Sequence, residues 1–122
     1  PSGPLDNPSM IDGSALETLV FQHFKAWAES TGCNVYYWRT PAGNEVDFVL
    51  YGQDCFYAVE VKNSSRIRPE YLRPLLAFRQ DYPEAKACLL YRGRERYLRD
   101  GIVCLPVEEF LLQIIPGSPL PT

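Results

Sequence analysis

The chain has 122 residues, 46% hydrophobic and 22% charged, with a formal net charge of −3. That suits one globular domain with a sizeable core and leaves no room for two. The acidic balance excludes a protein that coats nucleic acid through bulk charge, though not a local basic surface.

No apolar run approaches the ~20 residues of a membrane span, and no secretory signal is present. The four cysteines are far apart, without a CxxC, and His23 is the one histidine, which argues against zinc. Cys55, Cys88 and Cys104 lie in apolar, strand-like runs where free cysteine acts as a small hydrophobe, so a reduced, cytoplasmic compartment is expected. Proline-rich ends, Pro1-Ser2-Gly3-Pro4 and Pro116 to Pro121, read as a linker over 1–12 and a tail over 116–122 around a domain at 13–115. Without a leading methionine the chain reads as a piece of a longer protein.

Ser14-Ala15-Leu16-Glu17 has the form of a capping box, followed by Leu16, Leu19, Val20, Phe24 and Trp27 at helical spacing. A helix from about Ser14 to Ser30 ending at Gly32 is predicted. Three strands follow: Asn34 to Thr40, Glu45 to Tyr51 and Cys55 to Asn63. Alternation places Val46, Phe48 and Leu50 on one face of the second, opposite Glu45 and Asp47. In the third, Tyr57, Val59 and Val61 oppose Phe56, Ala58, Glu60 and Lys62. A second helix begins between Pro69 and Pro74, with Pro74 favouring a late start. Lys86 to Arg92 and Ile102 to Leu105 are strands, and Pro106 opens a last helix with Val107, Phe110, Leu111 and Ile114.

Only Gly52-Gln53-Asp54 separates the second and third strands, making them an antiparallel hairpin. A Gly52-Gln53 turn sets Glu45 across from Glu60 with Asp47 diagonal. A Gln53-Asp54 turn sets Asp47 directly across from Glu60. Either brings the two acids together. Carboxylates among apolar strand residues need a partner or a metal. With Lys62 two residues beyond Glu60, the set suits a hard divalent cation bound through oxygen.

Glu17, Glu45-Val46-Asp47 and Glu60-Val61-Lys62, in this order and on these elements, resemble the PD-(D/E)XK nuclease superfamily, although Val46 stands where the motif's name puts proline. A closer resemblance is to an uncharacterised domain at the C-terminal end of certain bacterial and archaeal P-loop ATPases. It is carried by Tyr37-Trp38-Arg39-Thr40, Glu45 to Val49, Glu60 to Asn63 and Leu89 to Gly93. The resemblance implies a restriction-endonuclease-like α-β-β-β-α-β core, an α/β fold with a mixed central sheet flanked by helices. It implies Glu17, Asp47, Glu60 and Lys62 as catalytic residues. Asp47, Glu60 and the Val61 carbonyl would ligate Mg2+ or Mn2+, and Lys62 would serve the attacking water. The substrate class is nucleic-acid phosphodiesters, with DNA as partner, Arg39, Arg66, Arg68 and Arg73 as backbone contacts, and an ATPase module elsewhere in a longer chain. The chain itself carries no GxxxxGK loop.

Plainer alternatives stand beside this. Glu17 can be the N3 residue of its capping box. Asp47 and Glu60 can be neutralised by Arg39 and Lys62 in a structural ion-pair cluster. The arginines, including Arg92, Arg94, Arg96 and Arg99, can belong to two solvated loops. The whole domain can be a catalytically silent module that docks a partner or nucleic acid.

Overall fold

The computed structural model describes residues 13–122, so the expected linker over 1–12 lies outside the described residues. Helix α1 (Gly13–Thr31) buries Leu16, Val20, Phe24, Trp27 and Ala28, an apolar stripe at helical spacing. It stops at Gly32, whose φ of 77° few other residues tolerate, with the Gly32 N–H donating to the Ala28 carbonyl. Ser14 lies inside this helix rather than at its cap, so the capping-box reading of Glu17 does not hold.

Strands β1 (Cys33–Arg39), β2 (Glu45–Gly52) and β3 (Cys55–Val61) form an antiparallel meander. Helix α2 (Pro69–Asp81) crosses over to β4 (Lys86–Tyr91), which pairs parallel to β3. Strands β5 (Tyr97–Arg99) and β6 (Ile102–Pro106) and the short α3 (Val107–Leu112) complete the chain. The result is the expected mixed sheet flanked by helices, six strands in the order β1-β2-β3-β4-β6-β5. One face packs on α1 and α3 through Phe24, Phe48, Val59, Leu90 and Phe110. The other packs on α2 through Val46, Ala58, Leu75, Phe78 and Leu89. Central β3 is apolar on both faces apart from Glu60, as a strand covered on both sides should be. Among the described residues no helix is long and apolar enough to cross a membrane.

Several expectations are corrected. Helix α2 starts early, at Pro69, and contains Pro74. Pro74 is the sixth residue of the helix, so it forfeits the bond to the Glu70 carbonyl and crowds that carbonyl with its ring, a cost met by burial of Leu72, Leu75 and Phe78. Strand β5 was not foreseen. It pairs with β6 through Asp100 and Gly101, both at positive φ, the backbone that two-residue hairpin turns require. The expected tail is docked: Leu120 is buried in the α1-side core, and Trp27 Nε1 donates to the Ser118 carbonyl at 2.7 Å. A reduced protein was expected, with Cys55 a small strand hydrophobe, but Cys33 and Cys55 form a disulfide across a Cα separation of 6.3 Å. Both flank Gly52, which pairs with each of them. A side chain at Gly52 would collide with the Gly32 carbonyl, so glycine lets the strands curl close enough to bond. Cys88 and Cys104 are buried free thiols.

Candidate active site

The β2–β3 hairpin takes the Gln53-Asp54 turn, with Gly52 paired to Cys55 and Asp54 at a φ of 61°. Continued along the strands, this register sets Asp47 across from Glu60. The paired ladder ends one step earlier, at Phe48 and Val59. Beyond it the strands are tied by side chains. Glu60 Oε1 accepts the Asp47 backbone N–H at 3.0 Å, and Asp47 Oδ2 accepts the Val61 N–H at 2.8 Å. Hydrogen bonds to ionised acceptors of this kind are the stronger ones.

A bulge in β2 aims Asp47. Tyr36 pairs with Val49 but Trp38 with Val46, so Asp47 and Phe48 together oppose the single residue Tyr37. Past this extra residue the alternation slips. Val46 packs on the α2 side while Phe48 and Leu50 pack on the α1 side, which corrects the expectation that all three share a face. Asp47 is hydrogen-bonded to Glu17 of α1 as well as to Glu60 of β3. Three carboxyls from three elements thus form one string, and Glu17 and Asp47 open onto a cleft of about 350 Å³ walled by Phe21, Tyr37 and Phe48.

The string holds protons. The hydrogen bond to Asp47, then burial and the Asp47 charge, push Glu17 up to about 7, while Lys62 pulls the other way. Burial raises Asp47 to about 6, with Glu60 adding to the rise and the Glu17 hydrogen bond opposing it. Glu60, only 4% exposed, is raised by burial despite its hydrogen bonds to Asp47 and the nearby Lys62. The bond between Glu17 and Asp47 raises Glu17 and lowers Asp47, so a shared proton favours Glu17.

Lys62 Nζ stands 3.9 Å from Glu60 Oε2 and 5.3 Å from the Tyr71 ring centre of α2, half in solvent. Tyr71 had no sequence signal, because it reaches Lys62 through the crossover rather than along a strand. Arg39 is spent on Glu45, with Nε 2.8 Å from its carboxylate, so of the two cations in the ion-pair alternative only Lys62 approaches the acids. Arg66 and Arg68 lie in the exposed segment before α2 and Arg73 on its exposed face, all three outside the carboxyl string.

Among the described residues no three His, Cys, Asp or Glu side chains form a ready-made metal cage. Magnesium does not need one: it is usually held by one or two carboxylates and keeps several waters. Asp47 and Glu60 each commit one oxygen to the opposite backbone, while Glu17 bonds Asp47 and Lys62 approaches the second oxygen of Glu60. The carbonyl of Val61 leaves β3 on the same side as its N–H, towards Asp47. This oxygen-only set fits a hard divalent cation.

Residues 12–110 match the family described as a domain of unknown function, DUF4143, and the chain belongs to that family. The family is associated with ATPase-linked C-terminal domains. No curated protein and no solved structure matches the chain.

Proposed function

We propose that this DUF4143 domain is a metal-dependent nuclease of PD-(D/E)XK type, hydrolysing nucleic-acid phosphodiesters as the C-terminal module of a longer ATPase chain. The observation that carries the reading is the convergence of Glu17, Asp47 and Glu60, from α1, β2 and β3, where the hairpin parts, with Lys62 at the rim. A structural ion-pair cluster would supply matched charges, whereas here three acids face one lysine and are driven to hold protons.

In this reading Asp47, Glu60 and the Val61 carbonyl would hold Mg2+ or Mn2+. When bound, the ion would polarise a phosphoryl oxygen and acidify a water. Lys62, at the rim beside Glu60 and Tyr71, would orient the attacking water and offset charge gathering on the phosphate. Glu17 would give up its proton to solvent where a cation is bound, ending its hydrogen bond to Asp47 and leaving the Asp47 carboxylate free to act as a ligand. The test is cleavage of single-stranded, duplex and branched DNA and of RNA by the wild type with magnesium against EDTA. Magnesium-dependent products, lost in Glu60→Gln, are expected. Intact substrates throughout would overturn the reading.

One observation favours a second reading. The reciprocal bonds of Asp47 and Glu60 to the opposite backbone tie splayed strands together, a structural task needing no metal. On that reading the domain docks a partner, and variants of these acids lose stability or binding without any cleavage phenotype.

A further inference from the structure

Two arginine-rich stretches, distant in sequence, meet beyond the carboxyl ends of β3 and β4. Lys62 N donates to the Leu90 carbonyl at 2.9 Å, and Arg92 N donates to the Ser64 carbonyl at 2.8 Å. Residues 62–64 therefore keep running beside 90–92 and carry Arg66 next to Arg94. Arg99 of β5 completes the wall of a cleft of about 470 Å³. Ligands of open α/β sheets gather at this end of parallel strands.

The cleft has a fixed floor. Tyr91 is 2% exposed, and its ring lies so close to Gly93 that any Cβ there would strike it. Its hydroxyl donates to the Glu95 carbonyl, which holds the loop bearing Arg94 over the ring. The Glu95 carboxylate is in the wall too, but it accepts the Tyr97 hydroxyl at 2.7 Å. The Arg99 guanidinium lies 5.0 Å from the Tyr97 ring centre. Arg92 and Arg96 of the same loop are matched to Glu108 and Glu109 of α3. Among the described residues Arg66, Arg94 and Arg99 make no ion pair, so three cations share one wall with a single committed carboxylate.

We infer that the Arg66–Arg94–Arg99 cleft binds the phosphates of a nucleic-acid strand and leads that strand to the carboxyl site. It rests on the nuclease reading for its destination, and on guanidinium–phosphate pairing for its binding. Lys62 and Arg66 are four positions apart in the chain, at most ~14 Å, so one strand can reach both.

The test is fluorescence anisotropy of a short labelled oligothymidylate with the whole chain in EDTA, where cleavage plays no part. Arg94→Ala and Arg99→Ala should each weaken binding about fivefold or more and reduce the salt slope by about one. Lys25→Ala, an equal charge loss at an exposed position of α1, should leave binding unchanged. Binding by the arginine variants equal to wild type would overturn the proposal. So would displacement by thymidine 5′-monophosphate at equal phosphate concentration, which would mark a pocket for free nucleotides. If arginine-dependent binding stands while the wild type cuts nothing, the cleft survives and the nuclease reading falls. If the wild type cuts but binds independently of these arginines, the reverse holds.

Discussion

Glu17 of α1 and Asp47 of β2 share a hydrogen bond in which Glu17 carries the proton. The two lie thirty positions apart in the chain. They meet because α1 lies across the sheet face beside β2 and a bulge turns Asp47 towards it.

Stability without metal should follow this shared proton. Glu17 rises from 4.5 to about 7 and Asp47 from 3.8 to about 6, so across that window the folded state binds more protons than the unfolded one. Stability is then greatest at the acid end and is lost as pH rises through the folded values. Urea unfolding in EDTA should show wild type losing about 1–2 kcal/mol relative to Glu17→Gln between about pH 4.5 and about pH 7. That is less than the full shifts imply, because solvent screens the half-open Glu17. A wild type that gains on the variant as pH rises would contradict the shared proton.

The Cys33–Cys55 disulfide closes a loop with a sequence separation of 22. Cross-linking a loop of that size removes unfolded-state freedom worth about 3 kcal/mol. Cys33→Ala/Cys55→Ala should unfold at lower urea by about that margin. Reductant should destabilise the wild type and leave the variant untouched. Equal midpoints for all of these would mean that the bond contributes nothing.

Leu120 anchors the C-terminal segment in the core beside Trp27. Leu120→Ala should cost about 2–4 kcal/mol in thermal or chemical unfolding, as core truncations do. Leu112→Ala, at a side chain that is 87% exposed, should cost next to nothing. Equal effects from the two would remove the segment from the folded unit.

Much of this was legible in the sequence. Period 3.6 in α1 was unambiguous, and a two- or three-residue loop forced the β2–β3 hairpin. Convergence of Asp47 and Glu60 followed from loop parity alone. What escaped were features set by tertiary geometry. The bulge at Asp47 leaves no local signal, because it exists only against β1. The disulfide depends on Gly52 letting two non-adjacent strands curl together, which spacing does not encode. Strand β5 is different: Asp100-Gly101 carries a recognised hairpin signature, masked by the charged residues around it. The proline-rich end looked like a tail because composition does not reveal that Leu120 has a pocket. The arginines were read as two separate loops, and only the β3–β4 pairing makes them one cleft.

The central claim is that Asp47 holds a divalent ion and Lys62 serves the water. A manganese titration of wild type, Asp47→Asn and Lys62→Ala, run beside cleavage assays on the same preparations, tests it most directly. The wild type should bind manganese and cut, and Asp47→Asn should lose both, having lost a ligand charge. Lys62→Ala should bind manganese at least as tightly, because a neighbouring cation is gone, yet fail to cut. A wild type that binds no manganese at millimolar concentration, and leaves single-stranded, duplex and branched DNA and RNA intact, would contradict the account.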